Sequence, residues 1–402
     1  MRNWLRDVFR DRPTWMNALM VFCAFMTFVY LPWDLFWKPV AEDHEVWFGI
    51  LFTGMGAKVM AIPHWFVYGA GLYGFLSRRS WMSFWGTAYL AQVAFSMWIW
   101  PIVNYGGLTG WAVGVIAAVP FVLLALAMWN AKDYFNAPRS SLRERYGGWG
   151  LVTGASAGIG VEFARALARE GMSVVLTARR GERLHELADE LATRHGVETR
   201  VVVADLSKPA GADEVADAVE DLNIGLLVNN AGLGYAGRFD GQESERVSGL
   251  VQVNCNAPVV LTSRLLPNMI ERGRGAVIIV GSVAGRQPLP LHAVYSATKA
   301  FDLLFGEALY VELRERGVDA LVLEPGLTAT EFQERAGETS RGGETPAAVV
   351  EVALDALGRQ PSVVSGWLNW LRANAVARLL PRPMVAYIAR DVVAENTPPD
   401  LR

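Results

Sequence analysis

In the stretch AVYSATKAF, Ala293 to Phe301, a phenol and an ammonium stand four positions apart among small residues. On a helix that spacing puts Tyr295 and Lys299 one above the other on a single face. A phenol with an ordinary pKa of about 10 is a poor acid–base group near neutrality. A cation one turn away favours the phenolate and lowers that pKa. A lowering of about two to three units corresponds to roughly 3 to 4 kcal/mol, attainable in a shielded site. The pair therefore reads as a proton-exchange device, provided that the fold brings a reaction to it.

The surrounding chain alternates short apolar runs with helix-like segments. GLVTG (Gly150 to Gly154), SVVLTA (Ser173 to Ala178), RVVVAD (Arg200 to Asp205), GLLVNN (Gly225 to Asn230), AVIIVGS (Ala276 to Ser282) and DALVLEP (Asp319 to Pro325) read as strands. That rhythm predicts an α/β fold with a Rossmann-like, doubly wound parallel sheet. Its first turn, TGASAGIG, places Gly154, Ser156, Gly158, Ile159 and Gly160 between a strand and a helix, where backbone amides and the helix N-terminus can hold a pyrophosphate. The second strand ends in TARR, about 20 residues after that turn, where ribose selection is expected. An acidic residue there would accept from ribose hydroxyls; Arg179 and Arg180 instead favour a 2′-phosphate and hence NADP(H).

With these motifs in order, the chain resembles the short-chain dehydrogenase/reductase family from about Gly150 to Ser365. The glycine motif is TGASAGIG, the NNAG motif is Asn229 to Gly232, the serine and YxxxK are Ser282, Tyr295 and Lys299, the helix asparagine is Asn254 and the PG segment is EPGLTATEF. The resemblance implies that Tyr295 is the acid in reduction and the base in oxidation. Lys299 would tune it and bind the nicotinamide ribose, Ser282 would hydrogen-bond the substrate oxygen, and Asn254 would hold a water of the proton relay. Asp205 would meet the adenine; Asn230, Ala231 and Gly232 would line the cofactor cleft; Pro325, Gly326, Thr328 and Thr330 would lie at the nicotinamide end. It also implies substrate contacts in VAGRQPLPLHAV (Val283 to Val294) and TEFQERAGETSRGGE (Thr330 to Glu344), the second polar enough for a mobile lid or a loose surface loop. His292 reads as a pocket-lining or surface residue. Helices at about Glu243 to Arg272 and Tyr295 to Arg316 resemble the family's dimerising pair, implying a homodimer.

The other end of the chain has a different composition. Of 402 residues 52% are hydrophobic, and Trp, Met and Phe crowd into roughly the first 130 positions while most charge lies beyond. Four stretches approach the ~20 apolar residues that a bilayer helix needs: about Trp15 to Phe36, Val59 to Leu76, Trp81 to Val103 and Trp111 to Trp129. Arg2, Arg6, Arg10 and Arg12 precede the first, Arg78 and Arg79 lie between the second and third, and Lys132, Arg139, Arg143 and Arg145 follow the fourth. Positive flanks alternate with poor ones, which predicts a multi-pass protein with both termini and the catalytic domain cytoplasmic. Met26 to Leu35 offers no small-residue cleavage site, so the first segment is expected to stay. Asn17, His64, Gln92 and Asn104 read as interhelical or interfacial hydrogen-bonding groups rather than, for His64, a lipid-headgroup or haem site. EDHE (Glu42 to Glu45) reads as a solvated loop, since nothing nearby completes a metal shell.

A net charge of -3 without a long basic block argues against nucleic acid, and Cys23 and Cys255 suit neither a disulfide nor zinc; no metal is expected. The predicted organisation is a four-helix transmembrane domain over 1–131, a linker over 132–147, a catalytic domain over 148–365 and an amphipathic tail over 366–402. In that tail Trp367, Trp370 and Leu371 alternate with Arg372, Arg378, Arg382 and Arg390, fitting either a helix on an anionic leaflet or one packed on protein. The expected partners are a lipid bilayer and a lipidic carbonyl or alcohol substrate such as a 3-oxoacyl, sterol or sphingoid-type ketone. A different function is also compatible with the sequence, an NADP(H) sensor controlling a membrane scaffold or transporter-like module, although intact Ser282, Tyr295 and Lys299 favour the enzyme.

Overall fold

The computed structural model describes residues 12–77, 79–136, 140–339, 342–376 and 380–402. Arg2, Arg6, Arg10, Arg78, Arg139 and Arg378 lie outside these residues. The chain divides into two compact units, one ending at Arg139 and one beginning at Ser140.

Among its described residues the first unit is helical with one hairpin. Helix α1 (Thr14–Phe36) widens into a π turn over Met26–Tyr30 just before Pro32, where the helical ladder loses a donor. A hairpin of β1 (His44–Trp47) and β2 (Ile50–Thr53) follows, closed by Phe48 and Gly49, both at positive φ. Two such residues give a turn whose twist matches the strands. Then come α2 (Met55–Leu76), α3 (Trp81–Tyr105) and α4 (Gly107–Asn130). Among the described residues α1, α2 and α4 are both long and apolar enough to cross a membrane. Helix α3 has the length, 25 residues, but its four Trp, with Ser83, Gln92, Ser96 and Asn104, dilute its aliphatic content.

The acidic loop is solvated at Glu42 and His44 as expected, but not at Asp43. Asp43 is fully buried and paired with Lys38 at 2.6 Å and Lys58 at 3.0 Å, and Lys38 also meets buried Asp34 at 2.9 Å. For Asp34 and Asp43, burial against opposite charge takes the place of exposure. His64 likewise has a local partner: its Nδ1 lies 3.1 Å from Glu45, and its ring stacks on Trp47 at 4.1 Å. Gln92 donates to Ser96 and Asn104 to the Trp100 carbonyl. Gln92 and Asn104 thus bond within their own helix rather than between helices, and His64 pairs with the hairpin.

The second unit opens with α5 (Leu142–Tyr146), inside the expected linker. Ser141 and Glu144 form a reciprocal capping box, and Leu142 and Tyr146 are buried, with the Tyr146 hydroxyl donating to Asp319 at 2.7 Å. The segment is thus packed onto the domain it precedes. The sheet follows as β3 (Trp149–Thr153), β4 (Ser173–Ala178), β5 (Thr199–Val203), β6 (Ile224–Asn229), β7 (Gly275–Val280), β8 (Val318–Glu324) and β9 (Ser362–Val364). All neighbours are parallel, in the order β5-β4-β3-β6-β7-β8-β9. Six strands match the predicted runs within two residues; β9, three residues long, gave too short a pattern to be seen. Because β4 and β6 leave β3 in opposite directions, the order reverses there and opens a crevice at the strands' carboxyl ends.

Four further helices matter to the site: α6 (Gly158–Arg169), α7 (Gly181–His195), α8 (Ala293–Leu313) and α9 (Phe332–Ala336). The tail is not one continuous helix: a short turn over Trp367–Leu371 and a π turn precede α10 (Arg382–Ala394). Val385, Ala389 and Val393 of α10 are buried, whereas Met384, Tyr387, Ile388 and Val392 are exposed.

Candidate active site

The crevice is a cavity of about 790 Å³ running from Arg179 and Arg180 to Tyr295 and His292. Every expected cofactor or catalytic residue lines it except Gly160 and Asn254, which support it from behind.

At the end of β3 the chain turns through Gly154 (φ +66°) and enters α6 at Gly158 (φ +55°). A Cβ on Gly154 would come 2.9 Å from Ala231 Cα, so glycine permits both the conformation and the approach. The NNAG segment is tied to this turn: Asn230 Nδ2 donates to the Thr153 carbonyl at 2.8 Å, and Thr153 Oγ1 accepts from the Asn230 and Ala231 amides at 2.9 Å. Asp205 accepts from the Ser207 hydroxyl and amide at 2.7 and 3.1 Å. Burial works to raise its pKa, but these donors and the Arg179 charge hold it below the ordinary value.

Arg180 reaches across the glycine turn, donating to Ser156 Oγ at 3.0 Å and its carbonyl at 3.1 Å. Its other amine meets Glu331 at 2.9 Å, where Arg183 (2.7 Å) and Arg335 (3.0 Å) converge. Glu331 had not stood out in the sequence; the Arg180 pair spans 151 positions.

At the other end Ser282 begins a 3₁₀ turn and accepts from the Ala284 amide at 3.1 Å. Gly285 in that turn lies so close to α8 that a Cβ would come 2.5 Å from the Lys299 carbonyl. Lys299 Nζ lies 5.9 Å from the Tyr295 ring centre and donates to the Val280 carbonyl at 2.8 Å and Asp302 at 2.9 Å. Asn254 sits in a π turn (Gln252–Asn256) and braces the loop after β6, exchanging hydrogen bonds with Leu233 at 2.8 and 3.0 Å and donating to Thr298 at 3.0 Å.

The electrostatics correct one expectation. Burial raises the Tyr295 pKa above its ordinary value; Lys299 and a hydrogen bond with Ser282 pull it down, and Asp302 and Glu338 oppose them. The net direction is upward, because desolvation of the buried phenol outweighs the Lys299 charge, with Asp302 and Glu338 adding to it. Burial likewise acts against the Lys299 charge, but Asp302 and Tyr295 outweigh it and the ammonium is retained.

Part of the expected lid is helical. Helix α9 buries Gln333 and Ala336, and Phe332 lies 5.6 Å from the Tyr295 ring. His292, nearly buried, stands 6.1 Å from Tyr295 with its Nε2 2.8 Å from Glu338. Val393 of α10 completes this wall, a contribution from 98 positions beyond Tyr295 that no local pattern announces.

This arrangement can hold an elongated anionic ligand along the strand ends and exchange a proton at one end. Comparisons with known proteins agree. The short chain dehydrogenase family profile matches residues 149–341. The very-long-chain 3-oxoacyl-CoA reductase of Anas platyrhynchos is 33% identical over 272 residues, covering 64% of this chain and 86% of that protein. A 7beta-hydroxysteroid dehydrogenase of Mediterraneibacter gnavus is 34% identical over 236 residues, 57% of this chain and 90% of the relative. Among solved structures, a short-chain dehydrogenase from Sphingobium yanoikuyae in complex with NADPH superposes with a TM-score of 0.54 at 34% identity, over 57% of this chain and 92% of that one.

Proposed function

The chain belongs to the short chain dehydrogenase family, and on that premise we propose that it is a membrane-bound oxidoreductase interconverting a lipidic ketone and its alcohol with NADP(H). The observation that carries this reading is one continuous cavity with the glycine turn and Arg179 at one end and Ser282, Tyr295 and Lys299 at the other.

The residues fit a dinucleotide. Gly154 and Gly158, both at positive φ, line the cavity at the turn, and the N-terminus of α6 adds its dipole for a pyrophosphate. Arg179 would read a 2′-phosphate, and Pro325, Gly326, Thr328 and Thr330 would border the nicotinamide. When bound, NADPH supplies the hydride. Tyr295 gives its hydroxyl proton to the carbonyl oxygen, while Ser282 Oγ donates a hydrogen bond to that oxygen and orients it. Lys299 stabilises the phenolate left behind. In the oxidative direction the phenolate takes the alcohol proton, so that direction requires Tyr295 to be ionised.

A lipidic substrate is supported by the apolar first unit and by the names of the relatives, a very-long-chain 3-oxoacyl-CoA reductase and a hydroxysteroid dehydrogenase. The exposed outer face of α10, with Met384, Tyr387, Ile388 and Val392, suits contact with a bilayer beside the wall that Val393 completes. Arg12, Arg79, Lys132, Arg143 and Arg145 favour the cytoplasmic side for their loops and for the catalytic unit. Leu304 and Val311, seven positions apart on α8 and 70% and 72% exposed, support a homodimer through this helix.

The test is turnover by the full chain in nanodiscs, given NADPH and a native lipid extract, with mass spectrometry seeking a species two hydrogens heavier. Tyr295→Phe should abolish this product while leaving NADPH affinity nearly unchanged. Unchanged turnover would remove the mechanism, and cofactor binding without any product across a ketone panel would favour the sensor.

A further inference from the structure

We propose that Glu331 sets how strongly this protein discriminates 2′-phosphorylated from unphosphorylated dinucleotides, by occupying arginines that a 2′-phosphate needs and tying them to the segment over Tyr295. The inference rests on the reading of Arg179 and Arg180 given above.

The geometry has three parts. Arg180, Arg183 and Arg335 all lie within 3.0 Å of the one Glu331 carboxylate. One negative charge among three guanidiniums leaves the cluster cationic, and Arg179 lines the same end of the cavity. A phosphate dianion, with more charge and three acceptor oxygens, is the stronger partner for such a cluster. The arginines also hold the Glu331 carboxyl well below its ordinary range, at about 2, so it stays ionised and competes at every working pH.

Second, Arg180 is bound to the glycine turn through Ser156, so the carboxylate contacts the machinery that would hold the nucleotide rather than a remote surface. Third, Glu331 directly precedes α9, whose Phe332 lies against Tyr295. Thr330 on its other side packs on Gly158, where a Cβ would come 2.8 Å from its methyl carbon. Arginines turning toward a phosphate therefore release a carboxylate one residue from the cover of the proton-exchange site. The same event that reads the ribose loosens that cover.

Calorimetry on the full chain in nanodiscs, with 2′,5′-ADP and 5′-ADP as probes, tests this without turnover. In Glu331→Gln, 2′,5′-ADP should bind about tenfold tighter, the scale of one released charge-assisted competitor, and 5′-ADP as before. Hydrogen exchange in residues 331–338 of the wild type should rise with 2′,5′-ADP but not with 5′-ADP. Equal changes for both probes, or weaker 2′,5′-ADP binding in the variant, would overturn the inference. A wild-type preference for 2′,5′-ADP that Glu331→Gln leaves untouched sinks this inference alone. No preference in the wild type sinks the NADP(H) reading with it.

Discussion

Replacing Lys299 with Met tests the electrostatic core of the site. With its ammonium 5.9 Å from the Tyr295 ring centre and an effective dielectric constant of about 20, Lys299 stabilises the phenolate by about 3 kcal/mol, or about 2 pKa units. The alcohol-oxidising reaction needs phenolate, so its rate rises with pH through the Tyr295 pKa. Lys299→Met should move that limb toward alkaline pH by up to about 2 units, lowering oxidation up to about 100-fold at any pH below both values. Two units is a ceiling: Asp302, already raised by burial, takes up a proton once its cation is gone, and its own opposition to the phenolate then disappears. Asp302→Asn supplies the opposite sign. It removes a negative charge that disfavours the phenolate while Lys299 keeps its bond to the Val280 carbonyl, so the limb should move toward acid. The assay is kcat against pH in the oxidative direction, with cofactor affinity titrated separately to isolate any effect on the ribose. Two shifts of the same sign, or none, would refute the argument.

Arg179→Ala should weaken NADPH by about tenfold or more and NADH little, read by nucleotide fluorescence titration; equal losses would show that this arginine does not read the phosphate. Gly285→Ala should cost about 1–3 kcal/mol and reduce kcat, since its methyl would meet the Lys299 carbonyl at 2.5 Å; thermal melts and kinetics check both. Arg286→Met should destabilise by about 3–5 kcal/mol, because it strips fully buried Glu324 of contacts at 2.5 and 2.6 Å. Denaturant unfolding measures that loss, and Arg286→Met with Glu324→Leu should recover part of it.

Much of this protein was legible before any coordinates. The strands, the glycine turn and the pairing of Tyr295 with Lys299 are local: they follow from helical and strand periods and from glycine's conformational range, which a short stretch carries by itself. Asp302 was within reach too, three positions after Lys299 on the same helix, but that it is buried and draws on the lysine's field was not. The hairpin signal, Phe48 and Gly49 between two apolar pairs, was overshadowed by the charged EDHE beside it.

What the tertiary structure alone decided are the meetings of distant residues: Glu331 with Arg180, Glu338 with His292, Asp43 with Lys58, Gly285 with Lys299, and Val393 at the cavity wall. It also decided the sign of the Tyr295 shift. Spacing told that a cation was near; only burial, which depends on what the rest of the chain lays over the phenol, told that desolvation outweighs it.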